Sequence, residues 1–197
     1  MFDRAVFEQP ATDVAPLLLG AILTVDDVAL RITEVEAYLG VGLDPGSHAY
    51  RRRGPKNDTM FGPPGHLYTY FTYGMHVCSN VVCLPEGETS AVLLRAGAIV
   101  DGVEVARMRR VTSRSDVDLA RGPARLTVAM GIGLADDGND LGAGRVRLEM
   151  PAATSAYETS LRTGVSGPGG VEPYAWRYFI PGEPTVSPYK RWMPKKR

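Results

Sequence analysis

The chain is poor in cysteine and lysine and carries no net charge. It has 197 residues with 2 cysteines, and 22 Lys and Arg side chains balance 22 Asp and Glu side chains. The two cysteines, Cys78 and Cys83, do not make a disulfide scaffold, and their spacing is not that of a common zinc site. We therefore expect two reduced, buried thiols in a cytosolic protein.

Long apolar runs are also missing. The longest, residues 17–25, contains Gly20 and Thr24 and is shorter than the ~20 apolar residues that a membrane-spanning helix needs. The first residues lack the basic flank and apolar stretch of a signal peptide. We expect no membrane partner and a cytoplasmic location of the bacterial type.

Glycine and proline, by contrast, are abundant, with 22 and 15 residues. This composition argues against a plain helix bundle and favours many turns and short strands. A chain of this length usually forms one domain and can bury a core without metal or disulfides. The sequence predicts a single α+β domain over residues 1–197 with a largely antiparallel sheet.

Hydrophobic periodicity divides the chain into short elements. Helices are predicted over residues 11–20, from a capping box at Asp101 to about Arg110, and from Pro123 to Met130. Strands are predicted over 21–39 with a break at Asp26-Asp27, and over 66–73, 75–84, 90–96, 145–150 and 174–180. Glycines and prolines make residues 40–65 an irregular loop, and a loop of this length in a compact domain is usually functional or mobile.

The strand before that loop carries the sharpest candidate for catalysis. Because alternate residues of a strand share a face, we expect one face to hold Leu30, Ile32, Glu34, Glu36 and Tyr38. A partly desolvated carboxylate on such a face suits a general base that works near neutrality. The alternative is that this face is exposed at its end and that both glutamates are solvated.

A cluster of aromatic residues follows the loop. It consists of Tyr68, Tyr70, Phe71 and Tyr73. Such a cluster either packs in the core or offers a stacking platform for nucleic-acid bases. The basic segments 51–56 and 190–197 can likewise follow a phosphate backbone or be solvated surface.

Taken together, these groups fit the recognition and hydrolysis of a flipped-out nucleobase. The enzyme needs a carboxylate base, aromatic rings to hold the base, and polar groups to read its edge. Glu36, the tyrosines, His48 and Asn80 provide those groups within 45 residues of sequence.

An ordered set of motifs resembles the alkyladenine (3-methyladenine) DNA glycosylase family, also called methylpurine DNA glycosylase. Each motif is short and weak alone, but the set covers nearly the whole chain in order and is highly specific. The motifs lie at residues 33–40, His48, 57–61, 64–80, 92–96, 121–126, 139–141, 162–165 and 176–179.

The resemblance implies a compact α+β fold with a curved sheet, flanking helices and a protruding β-hairpin that enters the DNA minor groove. It implies a base excision repair enzyme, a monofunctional glycosylase of alkylated or deaminated purines, without cofactor, metal or lyase step. Its partner is double-stranded DNA with damaged purines, and we expect a monomer. Glu36 activates water for attack on the deoxyribose anomeric carbon, Arg95 helps to hold that water, and Tyr73 fills the gap left in the duplex.

The resemblance also assigns the base-binding residues. Tyr38 stacks on one face of the flipped base, and His48 and Tyr70 stack on the other. Asn80 lies against the purine edge and disfavours the exocyclic amine of guanine, and the backbone near Val165 lines the pocket.

Two alternatives remain open at the level of the sequence. A non-catalytic nucleic-acid-binding module with a tyrosine stacking platform explains the aromatic and basic residues but gives Glu36 no role. A glycoside hydrolase could use Glu34 and Glu36 as its carboxylate pair. Retaining enzymes, however, hold their carboxyls ~5–5.5 Å apart across the bond, and neighbours on one strand face are poorly placed to flank a substrate.

Overall fold

A computed structural model describes residues 2–72 and 74–193, and over these residues the chain forms eight strands and three α-helices. The helices are α1 (Ala11–Leu17), α2 (Val103–Arg109) and α3 (Pro123–Met130). The strands are β1 (Ile22–Val25), β2 (Val28–Tyr38), β3 (Leu67–Thr72), β4 (His76–Cys83), β5 (Ser90–Asp101), β6 (Val146–Glu149), β7 (Glu158–Ser160) and β8 (Arg177–Phe179). Short 3-10 turns lie at Arg4–Glu8, Asp58–Phe61, Asp116–Asp118, Leu134–Asp136 and Gly167–Gly170.

The strands form one curled, antiparallel sheet, which confirms the α+β prediction. Its order is β3-β4-β5-β2-β1-β6, and β8 pairs with both β2 and β7. The long strand β2 is central: β5 pairs along one of its edges, while β1 and then β8 share the other. The candidate catalytic strand therefore has neighbours on both sides.

The core lies between one face of this sheet and the helices. Leucines and valines of β1, β2 and β5 pack there with Leu126 and Met130 of α3. Pro123 begins α3, where a missing N–H costs nothing, and Gly131 ends it with a positive φ of 70°. Cys78 and Cys83 are buried and unpaired, as expected.

Strand β2 contains a bulge just before its two glutamates. Ile32 pairs with Gly97, but Glu34 pairs with the very next residue of β5, Ala96. Thr33 is therefore an extra residue in β2. An extra residue reverses the face on which the following side chains lie.

This reversal shows that one prediction was wrong. The core contains Leu30 and Ile32 from before the bulge and Val35 and Ala37 from after it. Leu30 and Ile32 therefore do not share a face with Glu34, Glu36 and Tyr38. The glutamates are nevertheless fully buried, so the alternative of a solvated face is also wrong.

The other element predictions hold with local corrections. β5 runs to Asp101 rather than residue 96, α1 ends at Leu17 rather than at residue 20, and β7 was not predicted. The predicted capping box is absent: Gly102 caps α2 with a φ of 69°, and a Cβ there would lie 2.1 Å from the Asp27 carbonyl oxygen. Within the described ranges, no helix is long and apolar enough to cross a membrane.

Candidate active site

A cavity of about 360 Å³ opens on the face of the sheet opposite the core. The loops at residues 45–48 and 163–166 and the start of α3 also line it. Six of the predicted site residues line it: Tyr38, His48, Tyr70, Asn80, Arg95 and Val165.

A row of directly paired residues explains how distant parts of the sequence meet here. The row crosses five strands, in the order Tyr68, Asn80, Leu93, Glu36 and Arg177. Directly paired residues lie on the same side of a sheet, and neighbouring strands are about 4.8 Å apart. Glu36 therefore lies two strands, or roughly 10 Å, from Asn80 on the cavity side.

The carboxylate of Glu36 is fully buried behind the cavity wall. Its Oε2 accepts a 2.8 Å hydrogen bond from the Tyr38 hydroxyl and lies 3.2 Å from Arg95 Nη1. Its Oε1 accepts a 2.6 Å hydrogen bond from the backbone N–H of Thr163. All three partners line the cavity, so the carboxylate is one residue layer away from whatever binds there.

Tyr38 is held as a hydrogen-bond donor. Burial, together with the negative charge of Glu36, raises the pKa of Tyr38 well above its usual value. The phenol therefore stays protonated at neutral pH and can only donate to the carboxylate.

Glu34 has a different role from Glu36. Its Oε1 accepts from Arg95 Nε at 2.9 Å and from Arg177 Nε at 2.6 Å, and Ser187 donates to both of its oxygens. Burial alone would raise the pKa of Glu34, but the charges of Arg95 and Arg177, together with the hydrogen bonds from Arg177 and Ser187, outweigh it and lower the pKa. Glu34 is thus a permanent anion that holds Arg95 in place.

Arg95 connects the two carboxylates. Burial disfavours its charge, but the charges of Glu36 and Glu34 outweigh that effect and raise the pKa of Arg95 above its usual value. A second bulge sets the direction of the Arg95 side chain. Ala96 and Leu94 of β5 pair with the consecutive residues Glu34 and Val35 of β2, so Arg95 is an extra residue of β5.

Arg162 and Asp44 support Tyr38 and were not predicted. The Arg162 guanidinium lies 4.4 Å from the Tyr38 ring centroid and forms a fully buried, two-point ion pair with Asp44 at 2.6 and 2.7 Å. It also donates to the carbonyl oxygens of Ala37 and Gly169. The motif at 162–165 pointed to this segment, but nothing in the sequence links it to Asp44.

The opposite wall of the cavity is aromatic. The ring centroids of His48 and Tyr70 are 4.4 Å apart in an edge-to-face contact, and those of Tyr68 and Tyr70 are 5.6 Å apart. Burial raises the pKa of Tyr68 and of Tyr70. Partial burial lowers the pKa of His48 below its usual value, so its ring is mainly neutral at pH 7.

Asn80 lies at the floor of the cavity and is almost fully buried. Its side-chain Nδ2 donates a 3.1 Å hydrogen bond to the backbone carbonyl of Tyr68 on the neighbouring strand. This bond fixes the orientation of the amide.

A second cavity of about 580 Å³ adjoins the first. The two share His48, Tyr68 and Tyr70, and the second is also lined by Phe71 and by the basic loop with Arg52, Arg53 and Lys56. The predicted basic segment 51–56 therefore lies beside the candidate site. Arg53 is paired with Asp58 and stacks on Phe61.

Tyr73, the predicted intercalating residue, lies outside the residues that the structure describes, and so do Lys195–Arg197 of the basic tail. The hairpin formed by β3 and β4 carries exposed apolar side chains beside that position: Phe71 is 56% exposed and Met75 is 67% exposed. In the described part of the chain, no group of three or more His, Cys, Asp or Glu side chains could hold a metal ion.

Comparison with known proteins defines the class as DNA glycosylase. The family model described as methylpurine-DNA glycosylase matches residues 5–184. The chain belongs to the methylpurine-DNA glycosylase family.

Individual relatives cover nearly the whole chain. A protein of Leifsonia xyli is 58% identical over 196 residues, which are 95% of this chain and 92% of the relative. A protein of Streptomyces avermitilis is 53% identical over 98% of this chain and 94% of the relative. One of Nocardia farcinica is 47% identical over 96% of this chain and 91% of the relative. All three bear the provisional name 3-methyladenine DNA glycosylase.

Proposed function

We propose that the protein is a monofunctional DNA glycosylase that hydrolyses the N-glycosidic bond of alkylated or deaminated purines of the 3-methyladenine type. The family match and the names of the relatives support the substrate class. The observation that carries the proposal is the buried carboxylate of Glu36 directly behind the wall of a cavity lined by aromatic rings.

Glu36 acts as the general base in this proposal. It takes a proton from a water molecule, the water oxygen bonds to deoxyribose C1′, and the C1′–N bond breaks with its electron pair leaving on the purine. Arg95 helps to hold the water and keeps its place through Glu34. The described lining of the cavity includes no lysine, so it offers no amine for a lyase step.

The cavity receives the flipped base between two walls. Tyr38 stacks on one face of the base, and His48 and Tyr70 stack on the other. Stacking on aromatic side chains contributes about 1–3 kcal/mol per base. Asn80 faces the purine edge and excludes the exocyclic amine of guanine, while Val165 closes the pocket.

Duplex DNA lies across the hairpin and the basic loop. Arg52 and Lys56 at the second cavity meet the phosphate backbone. Tyr73 enters the duplex and occupies the place of the flipped nucleotide. The enzyme acts as a monomeric single domain in the cytoplasm, without cofactor or metal.

The arrangement favours an enzyme over a non-catalytic binding module. Tyr68 and Tyr70 line a cavity next to a buried carboxylate, whereas a binding platform would present them on an open face. The deciding test is abasic-site formation in duplexes that each carry one damaged purine, with EDTA present and with Glu36→Gln as the matched control. Lesion binding without abasic sites in the wild type would support the binding module.

A further inference from the structure

Residues 188–193 form an exposed segment that has no part in the proposed chemistry. Each of these residues is exposed, and none belongs to a helix or a strand. The segment places two cations, Lys190 and Arg191, between two aromatic residues, Tyr189 and Trp192, which are each 43% exposed. Cations next to exposed aromatic rings are typical of surfaces that bind a nucleic-acid strand.

The backbone that leads into the segment is fixed to the catalytic strand. The N–H and the hydroxyl of Ser187 donate hydrogen bonds of 2.7 and 2.9 Å to Glu34. The Ser187 carbonyl oxygen accepts one of 2.8 Å from Arg177. Pro188 follows directly, and its ring fixes one backbone rotation. The segment therefore leaves the core at a defined point, next to the buried carboxylates of β2.

A backbone hydrogen bond holds the segment beside the base cavity. The N–H of Gly164 donates a 2.9 Å hydrogen bond to the carbonyl oxygen of Lys190, and Gly164 lies in the loop at 163–166 that lines the cavity. When a base occupies the cavity, the phosphates of its own nucleotide must lie at the cavity mouth. Side chains of the segment therefore start close to those phosphates.

The charges of Lys190 and Arg191 are free to meet a ligand. Neither side chain forms an ion pair or a hydrogen bond with another described residue, whereas Arg53 of the basic loop is already paired with Asp58. Because the backbone at Ser187 and Lys190 is held in advance, the segment loses less conformational freedom on binding than a free chain would.

We propose that residues 189–192 are a second DNA-binding element, in addition to the basic loop; this inference rests on the proposed function. Lys190 and Arg191 neutralise phosphates of the damaged strand beside the flipped nucleotide, and the Trp192 ring packs against the same strand. The basic loop borders the aromatic wall of the cavity, whereas the segment borders the loop at 163–166. The two elements therefore contact different parts of the DNA backbone.

The salt dependence of binding to an undamaged duplex tests the role of the two cations. Each neutralised phosphate contributes about 0.9 to the slope of log K against log salt concentration, so Lys190→Gln with Arg191→Gln should lower the slope by about 1.8. The charge-preserving pair Lys190→Arg with Arg191→Lys should restore most of it. Arg147→Gln is the control and should leave the slope unchanged, because Arg147 is exposed on β6, at the sheet edge opposite the hairpin.

Tryptophan fluorescence tests the position of Trp192. The chain has two tryptophans, and the other, Trp176, packs against the buried Arg162. Saturation with undamaged duplex should quench the emission of the wild type, because bases stack on exposed rings. Trp192→Phe should lose most of this quenching. Equal quenching in the variant would show that Trp192 does not contact DNA.

These measurements need no base release, so they are separate from the test of the proposed function. An unchanged slope in the glutamine double variant would overturn the role of the segment and leave Glu36 as the base. An equal loss of slope in Arg147→Gln would also overturn it, because the effect would then follow from net charge alone. A wild type that binds undamaged duplex but forms no abasic sites would instead overturn the proposed function.

Discussion

Tyr38 donates a hydrogen bond of 2.8 Å to Glu36, two residues before it on the same strand. One aromatic residue thus has two tasks, because its ring faces the cavity while its hydroxyl restrains the carboxylate. The two tasks can be separated by mutation.

Tyr38→Phe should slow base release by about tenfold to a hundredfold and leave lesion binding nearly unchanged. The ring that stacks on the base remains, but a hydrogen bond to a charged acceptor, worth about 1.5–3 kcal/mol, is lost. Single-turnover rates and lesion affinity, measured on the same duplex, check this. Weakened binding with a normal rate would show that the hydroxyl contacts the base rather than Glu36.

The two glutamates should respond differently to the loss of charge. Glu36→Gln should fold and bind lesions but slow base release by at least ~10²-fold, the usual contribution of a general base. Glu34→Gln leaves Arg177 without its buried counter-ion and Arg95 with Glu36 alone, which should cost on the order of 3 kcal/mol of stability. Urea unfolding and single-turnover kinetics distinguish the two variants. Near-normal excision by Glu36→Gln would show that Glu36 is not the general base.

Acid should destabilise the protein partly through Glu34. Its folded-state pKa lies below the ordinary 4.5, so the unfolded chain binds the proton more readily. The resulting stability is complete above about pH 4.5 and is lost as the pH falls through the folded-state value. Glu34→Gln should therefore show a shallower loss of melting temperature between pH 5 and 3 than the wild type; parallel curves would contradict this assignment.

Asp44→Asn should destabilise the wall behind Tyr38. It leaves Arg162 as an uncompensated buried cation, which costs about 3–5 kcal/mol. At this chain length each kcal/mol lowers the melting temperature by about 2–4 °C. Asp58→Asn is the control, because it breaks a solvent-exposed pair with Arg53 and should change little. Equal melting temperatures for the two variants would contradict the role of the buried pair.

Tyr73→Ala should impair excision of well-paired lesions more than of mismatched ones. An inserted side chain offsets part of the unstacking cost of a few kcal/mol, and a loosely paired base needs less help. If Tyr73 is the intercalating residue that we propose, folding should survive, because a side chain that inserts into DNA contributes little to the core. A large drop in melting temperature with no dependence on the pairing partner would instead show a buried aromatic, whose loss costs ~3–5 kcal/mol.

The sequence predicted most strands because their periodicity is local, and it also predicted the loop at 40–65. It did not predict the bulge at Thr33, since a bulge depends on how β2 pairs with β5 and not on β2 alone. Glu36 was therefore predicted to be desolvated for a reason that was partly wrong. Its carboxylate is buried among charged and polar partners, and it does not share a face with Leu30 and Ile32.

The supporting residues escaped prediction for a similar reason. Asp44 and Arg162 are 118 positions apart, and Glu34 and Ser187 are 153 apart. No pattern within a short window of sequence connects such pairs. Motif resemblance located the segments but did not show which side chains join them.

Three partners of the β2 glutamates, Thr163, Arg177 and Ser187, come from near the other end of the chain. During synthesis, β1 to β5 leave the ribosome well before those residues are made. Until then, Glu34 lacks Arg177 and Ser187 and Glu36 lacks the Thr163 N–H, so neither carboxylate has all the groups that compensate its burial. Nascent chains that stop before residue 163 should therefore be unable to excise bases, and catalytic competence arises only as translation nears its end.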